Sequence, residues 1–366
     1  MASYFVDPSI AANSGTGTLG DPYGDLQYAL DTITKASTGD QINIKAGTAE
    51  VLTASLDRSS YGTPGFTSPL IFRGYTSSEN DGGVGEISGN GSFGIYSGGG
   101  DCVYFVDLNL HNCGSADVLT LTRYSGAFRC EISDTTGDGI VLASQGYNRV
   151  CGCNVHDVGG RGIHGSGNEP NFVVNNYLKN GTNQFSAAIA TIAYGVITRN
   201  IISVDGGSNG IDCEAGNNFA TEVTHNTVFS DAGTGTGILV GGGAADALNM
   251  HIASNVVQGF SGSGGQGIDL NATTRPAVVE DNVVNDCATA YPANGLILAF
   301  TDNTTAASSV LSESGSDTFA NRATYFAPVG DALDASSGLN LDRGAVQSAS
   351  GSGISAKLIN PDHLVY

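Results

Sequence analysis

The sequence predicts an all-β fold in which the chain winds into a solenoid of stacked, parallel coils. A column of asparagines recurs at intervals of 23, 23, 24, 26, 29 and 27 residues, apolar columns keep its register, and a Gly-Ile pair returns once per unit. A recurring period of this length is the signature of a repeat architecture. The asparagine column, which begins with two cysteines, consists of Cys130, Cys153, Asn176, Asn200, Asn226, Asn255 and Asn282.

Short runs in which apolar and polar residues alternate indicate strands, and the Gly, Asn, Asp and Ser clusters between them indicate turns. The apolar column two residues after the asparagine is Ile132, Val155, Leu178, Ile202, Val228, Val257 and Val284. The column three residues before it is Ala127, Val150, Val173, Ile197, Val223, Ile252 and Val279. The Gly-Ile column is Gly139-Ile140, Gly162-Ile163, Ala188-Ile189, Gly210-Ile211, Gly237-Ile238, Gly267-Ile268 and Gly295-Leu296.

The asparagines are interpreted as structural residues. Coils that stack in parallel are about 4.8 Å apart, so an asparagine repeated at one position can hydrogen-bond its neighbours in the coils on either side. Asparagine also tolerates the left-handed backbone of a tight turn. We therefore expect Asn176, Asn200, Asn226, Asn255 and Asn282 to form a ladder at a coil corner, in the left-handed conformation.

The pattern resembles the right-handed parallel β-helix proteins of the pectate-lyase-like superfamily, which carry asparagine ladders at a tight corner. In that superfamily a short amphipathic helix followed by a strand caps the open amino-terminal end, and residues 25–33 and 39–47 match this arrangement. The resemblance spans residues 4–305 and implies a right-handed, single-stranded parallel β-helix with a capping helix. We expect a cap over residues 1–50, the solenoid over 51–305, and an irregular region with an apolar tail over 306–366.

Composition limits the partners. The formal net charge is −21, from 35 acidic and 14 basic residues. Nucleic acid is therefore not expected as a partner, because Lys and Arg must neutralise its phosphates.

No apolar stretch is long enough to span a membrane. The sequence opens without a secretory signal, and seven cysteines, an odd number, favour a reducing compartment. We expect synthesis in a host cytoplasm.

The scaffold implied by the resemblance serves polysaccharide lyases, glycoside hydrolases, phage tailspikes and other virion proteins, so fold alone does not name an activity. The sequence favours a bacteriophage virion-surface protein, tailspike-like or capsid-decorating, that serves attachment, recognition or reinforcement. One alternative is an extracellular polysaccharide-degrading hydrolase or lyase. Another is a glycan-binding adhesin without catalysis.

The expected partners are other virion proteins or identical subunits, and a cell-surface polysaccharide. Because trimeric tailspikes pack β-helices side by side, the resemblance implies a homotrimer. Outward residues next to the ladder become apolar in the later coils, at Ile201, Val256 and Val283. Exposed apolar surface marks a contact, so we expect either the tail or a neighbouring subunit to cover them.

Candidate catalytic residues lie one position past the Gly-Ile column, where side chains point outward. Asp212 and Asp269 are two coils apart, roughly 10 Å by the strand spacing, and would act as acid and base of a glycosidase. Arg161, His164 and Glu214 would bind sugar. The alternative interpretation, which so acidic a chain favours, makes all five ordinary solvated residues.

A lyase of the pectate type needs a basic residue and calcium held by carboxylates. Arg161 would be that base, and Asp134, Asp138 and Asp157 would be the calcium ligands. Asp134, Asp157 and Asp286 also align at a coil corner, where Asx turns explain them more simply. We therefore expect no required cofactor, with Ca²⁺ as the alternative.

Overall fold

The computed structural model describes residues 1–143, 146–165, 170–190, 195–213, 221–231, 233–240, 250–270, 277–292, 297–301 and 304–306. Within them the chain forms thirty short strands and one helix. The strands make three parallel sheets that run the length of a solenoid. The all-β, parallel β-helix architecture predicted from the repeats is therefore confirmed.

The amino-terminal part contains β1 (Ala2–Val6), α1 (Leu26–Thr32), β2 (Asp40–Lys45), β3 (Glu50–Val51), β4 (Leu70–Tyr75), β5 (Gly85–Ser88), β6 (Val103–Val106), β7 (Leu108–His111) and β8 (Leu119–Leu121). The middle coils contain β9 (Gly126–Phe128), β10 (Glu131–Ile132), β11 (Ile140–Leu142), β12 (Arg149–Cys151), β13 (Asn154–His156), β14 (Arg161–Gly165), β15 (Phe172–Val174), β16 (Tyr177–Lys179), β17 (Ala187–Ala190), β18 (Val196–Thr198) and β19 (Ile201–Val204). The later coils contain β20 (Asn209–Cys213), β21 (Glu222–Thr224), β22 (Thr227–Ser230), β23 (Thr236–Val240), β24 (Met250–Ala253), β25 (Val256–Gln258), β26 (Gln266–Asp269), β27 (Ala277–Glu280), β28 (Val283–Asn285), β29 (Ile297–Thr301) and β30 (Thr304–Ala306).

Each coil contributes one strand to each sheet in turn. The first sheet has the order β1-β2-β4-β6-β9-β12-β15-β18-β21-β24-β27-β29, and the second has the order β3-β5-β7-β10-β13-β16-β19-β22-β25-β28-β30. The third sheet, β8-β11-β14-β17-β20-β23-β26, begins later. Since each strand pairs with its counterpart in the next coil, a residue keeps its column throughout.

The amino-terminal cap is present as predicted. Asp25 is the N-cap of α1, and its side chain accepts a hydrogen bond from the Tyr28 amide at 2.6 Å, the usual role of Asp at this position. Leu26, Ala29 and Leu30 are buried against the core. The helix therefore covers the apolar end of the solenoid, which would otherwise be exposed.

The asparagine ladder is confirmed by its hydrogen bonds. The Oδ1 atom of Asn226 accepts from the backbone amide and from the Nδ2 atom of Asn200, both at 3.0 Å. Its own Nδ2 donates to the Ile197 carbonyl at 2.8 Å. Asn176 extends the pattern toward the amino terminus, because its Oδ1 accepts a hydrogen bond from the Cys153 amide at 2.9 Å. The ladder asparagines are fully buried, so their side chains satisfy backbone groups that water cannot reach.

The expected left-handed conformation of the ladder asparagines is wrong. The left-handed residue is the one immediately before each ladder position, with φ between 51° and 57°. These residues are Asn175, Arg199, His225, Ser254 and Asp281. The preceding residue turns the corner, and the ladder asparagine supplies only hydrogen bonds. The left-handed position therefore accepts different residue types, such as Arg199 and His225, whereas the position after it is asparagine in these five coils.

The apolar columns form the core as predicted. Every member of the two columns that flank the ladder is at most 1% exposed. The glycines of the Gly-Ile column lie where a coil passes close to the next one. A Cβ atom at Gly162 would lie 2.5 Å from the Ala188 carbonyl oxygen, and one at Gly210 would lie 2.5 Å from that of Gly237. The repeated glycine therefore permits close stacking of the coils.

One expectation for the outward residues is wrong. Gly267 and Ile268 donate backbone hydrogen bonds to Thr289 and Ala290, so the third-sheet position of the last coil lies there, before Gly295-Leu296. Ile297 consequently begins β29 of the first sheet. The later outward residues of the second sheet differ in exposure, because Ile201 and Val256 are 7% and 1% exposed within the single chain, whereas Val283 is partly exposed. Their cover by the tail or by a neighbouring subunit stays a prediction.

Candidate functional site

The outer face of the third sheet carries the predicted site residues in one column. The strand register pairs His164 with Ala190, Ala190 with Asp212, Asp212 with Leu239, and Leu239 with Asp269. Asp212 and Asp269 are thus two coils apart, about 10 Å by strand spacing, as the repeat alignment predicts. Glu214 lies outside the described residues.

A second outward column lies three positions before the first, and its carboxylate and amide side chains bind the backbone of the following coil. Oδ1 of Asp117 accepts from the Asp138 amide at 2.9 Å. Oδ1 of Asp138 accepts from the Arg161 amide at 2.7 Å. Further along, Oδ1 of Asn209 accepts from the amide of Thr236 at 3.0 Å. This column therefore stabilises the stack and also presents polar groups on the same face.

The structure brings Asp138, Arg161 and His164 together where the two columns meet. Nδ1 of His164 lies 2.9 Å from Oδ2 of Asp138, and Nη1 of Arg161 lies 2.8 Å from Nε2 of His164. Nη1 of Arg161 also lies 3.0 Å from Nδ1 of His164, so the guanidinium contacts both ring nitrogens. The side chains of Asp138 and His164 are only 19% and 18% exposed, so the cluster is largely shielded from solvent.

Burial alone would raise the pKa of Asp138. Its hydrogen bonds from His164 and from the Arg161 amide, together with the charges of these residues, outweigh burial and lower the pKa below its usual value. Asp138 is therefore a carboxylate at neutral pH. Asp138 was predicted only as a calcium ligand, and Arg161 as a sugar-binding residue or the base of a lyase; the contact between Asp138 and the imidazole was missed, because it runs diagonally between adjacent strands.

Asp212 and Asp269 differ in environment. Asp212 accepts a hydrogen bond from Nδ2 of Asn209 at 3.0 Å. Asp269 is 5% exposed, and burial raises its pKa. Its buried Oδ1 has no hydrogen-bond partner among the described residues. A buried carboxyl of this kind favours the protonated form, which a general acid requires.

The carboxylates considered for calcium have structural roles. Asp134 and Asp157 have φ values of 53° and 52°, and they turn the corner that follows the second sheet. Asp157 accepts from His156 at 2.7 Å and from the Thr182 amide at 2.5 Å. Within the described ranges no three His, Cys, Asp or Glu side chains are grouped as a metal site would require. Calcium binding stays a prediction.

A second polar cluster, which the sequence analysis did not identify, lies on the outer face of the second sheet. His156 bridges two carboxylates, with Nε2 at 3.0 Å from Glu131 and Nδ1 at 2.7 Å from Asp157. Burial opposes protonation of His156, but these two partners raise its pKa overall. The signal was available, because Glu131 follows one ladder position and His156 lies three residues after the next.

A family model described as a right-handed β-helix region matches residues 79–192. The solenoid is accordingly a right-handed parallel β-helix. No curated protein sequence matches the chain. Among the residues described, no helix is long and apolar enough to cross a membrane.

Distant similarities exist to solved structures. A GH136 lacto-N-biosidase from Eubacterium ramulus is 11% identical, with a TM-score of 0.46 over 83% of this chain and 68% of that one. A rhamnogalacturonan lyase is 13% identical, with a TM-score of 0.41 over 78% and 74%. The pectin methylesterase from Aspergillus niger is 13% identical, with a TM-score of 0.33 over 84% and 86%. At this distance the similarities bear on neither activity nor substrate.

Proposed function

We propose that this β-helix recognises a polysaccharide along the outer face of its third sheet. The supporting observation is the placement of His164, Asp212 and Asp269 in one outward column, with Asp138 and Arg161 in the column beside it. Polar side chains of the outward column then recur along the solenoid axis at every second coil, about 10 Å apart. A polymer of repeating polar units lying along the axis would contact several coils at once.

Affinity electrophoresis in gels that contain bacterial or plant polysaccharides tests this proposal. Arg161→Ala removes the guanidinium that contacts His164, and we expect it to abolish most of the retardation. Arg149→Ala is the matched control, because it makes the same charge change on the outer face of the first sheet. Equal retardation of both variants and the parent protein would refute recognition by the third sheet.

The biological setting that we propose is the surface of a bacteriophage virion, where such recognition would serve attachment to a host. Two features support it: the resemblance of the repeats to tailspike β-helices, and seven cysteines that form no disulfide, as expected for a protein assembled in a reducing compartment. We expect the purified protein to bind phage particles stripped of it, as a homotrimer. Sedimentation of the protein without the particles would refute the virion role.

The second candidate function is hydrolysis of the bound polysaccharide by Asp269 as acid and Asp212 as base. The buried carboxyl of Asp269, with its raised pKa, favours it. The assay is the release of new reducing ends from polysaccharides retained in the gels. Activity that survives in both Asp212→Asn and Asp269→Asn would exclude these residues, and unsaturated products would indicate a lyase.

A further inference from the structure

An exposed cluster of aromatic rings lies at the corner where the chain passes from the third sheet to the first. Phe66 is 75% exposed and Tyr147 is 40% exposed. The ring of Tyr124 contacts both, with centroid distances of 4.7 Å to Phe66 and 5.1 Å to Tyr147. We call Phe66, Tyr124 and Tyr147 the aromatic corner.

Two of the rings are stacked by the repeat itself. Gly126 and Arg149 pair with each other in the first sheet. Tyr124 lies two residues before Gly126, and Tyr147 lies two residues before Arg149. They therefore occupy the same corner in consecutive coils. Their ring distance is close to the coil spacing of about 4.8 Å, and their planes differ by 22°. Phe66 comes from a separate loop and meets Tyr124 at 70°.

The two tyrosines occupy strained backbone positions. Their φ values are 58° and 59°, in the left-handed region that disfavours a residue with a Cβ atom. The stabilisation by one stacked aromatic pair is no larger than the strain of two such residues, so the stack at best offsets the strain. Glycine or asparagine would turn this corner more easily. Stability therefore does not account for tyrosine at both positions.

A cation lies beside the rings. The Arg123 guanidinium is 4.7 Å from the centroid of the Tyr124 ring, and its Nη2 donates to the Tyr124 hydroxyl at 3.0 Å. Tyr147 is 40% exposed, and the corresponding corner position of the next coil is Pro170, whose carbonyl accepts a hydrogen bond from the Tyr147 amide. The aromatic corner thus combines partly exposed rings with hydrogen-bonding groups at its edge.

We propose that the aromatic corner is a binding site for an oligosaccharide, separate from the third-sheet columns. A pyranose has an apolar face of C–H groups and an edge of hydroxyls, which would contact the Tyr147 ring and the phenol and guanidinium groups respectively. Phe66 would contact the next sugar unit. The site therefore extends the chain's interactions beyond the function proposed above and does not depend on it.

The size and charge of the surface favour this ligand. An aromatic side chain buries at most about 150–250 Å², and here the stacking already covers part of each ring. A stable protein interface requires about 800 Å² from each partner, more than three partly covered rings provide. Nucleic acid bases also stack on aromatic rings, but the net charge of −21 opposes a phosphate backbone.

Titration of the full-length protein with oligosaccharides of glucose, galactose, mannose and N-acetylglucosamine tests the proposal. Because the chain has no tryptophan, tyrosine fluorescence reports the contact, and saturation-transfer NMR identifies the sugar protons that touch the protein. We expect Tyr147→Asn and Phe66→Ala each to weaken binding by about tenfold or more. Tyr147→Phe keeps the ring and should retain most of the affinity.

Thermal unfolding separates binding from folding. Asparagine adopts the left-handed conformation readily, so Tyr147→Asn should unfold at the same temperature as the parent protein or above it. A marked drop would mean that the rings only stabilise the corner and would overturn the proposal. Failure of all four oligosaccharide classes to bind, or tighter binding of a nucleotide probe, would overturn it as well. Tyr147→Asn should weaken oligosaccharide binding by the same factor in the parent protein and in the Arg161→Ala variant, which distinguishes the site from the third-sheet columns.

Discussion

The carboxyl group of Glu50 provides a test of how the amino-terminal cap is held. Glu50 begins β3 and is 6% exposed. Its Oε1 accepts a hydrogen bond from the amide of Leu26, the first residue of α1, at 3.2 Å. Burial, with a smaller contribution from the nearby Asp25, raises the pKa of Glu50 to about 7 against the opposing effect of the Leu26 amide. The cap therefore contains a carboxyl group that gains its charge near neutral pH.

The free energy of unfolding depends on pH because Glu50 has different pKa values in the folded and unfolded states. The pKa is 4.5 for an unperturbed Glu and about 7 in the fold, so between these values the folded protein keeps a proton that the unfolded chain has lost. The free energy of unfolding must fall as pH rises through this window, by about 3 kcal/mol for a gap of this size. Glu50→Gln retains the acceptor oxygen and removes the titration. We expect it to be nearly neutral at about pH 4 and stabilising by about 3 kcal/mol at about pH 8.

Urea unfolding at both pH values measures the difference, and amide exchange of residues 26–32 shows whether it resides in the cap. Glu222→Gln is the matched control, because it makes the same chemical change at an exposed position of the first sheet. Glu50→Gln that stabilises equally at both pH values, or that destabilises at about pH 8, would show that Glu50 does not titrate as described.

Three further predictions concern the solenoid. Asn226→Ala should lower the free energy of unfolding by about 3 kcal/mol in urea titrations, because the amide of Asn200 loses its acceptor in the core. Gly210→Ala should lower the free energy of unfolding by about 1–3 kcal/mol in the same assay, since the new Cβ would lie 2.5 Å from the Gly237 carbonyl oxygen. An unchanged urea midpoint would mean that the coils shift freely to make room for the methyl group. The Cys213 thiol is fully buried and its pKa is raised by burial, so a disulfide reagent at about pH 8 should modify it only after unfolding, and rapid modification of the native protein would contradict the structure.

The fold was predictable because its strongest signals come from buried residues that repeat. Each ladder position must satisfy backbone groups of a neighbouring coil, and each inward position must fill the same cross-section, so asparagine recurs at the position of Asn226 from Asn176 to Asn282 and an aliphatic residue recurs at the position of Val228. The last coil was predicted less well. In an alanine-rich segment, Gly295-Leu296 imitates the Gly-Ile column, whereas the hydrogen bonds select Thr289 and Ala290. Spacing alone could not distinguish the two.

The outward side chains were harder to predict, since they need not repeat. The alignment placed His164, Asp212 and Asp269 in one column because column membership depends only on register. The contact between Asp138 and His164 joins two columns diagonally, and side-chain direction decides it. The aromatic corner was not predicted, although Tyr124 and Tyr147 recur at the coil interval of 23 residues, because both fall between strands and Phe66 comes from a separate loop.

The unequal lengths of the coils have an evolutionary consequence. Successive ladder positions are separated by as few as 23 and as many as 29 residues, yet the strand pairing stays in register from one coil to the next. The extra residues are accommodated outside the strands. Insertions at the turns can therefore remodel what the surface recognises without disturbing the interior, so such a chain can change its target while its scaffold stays constant.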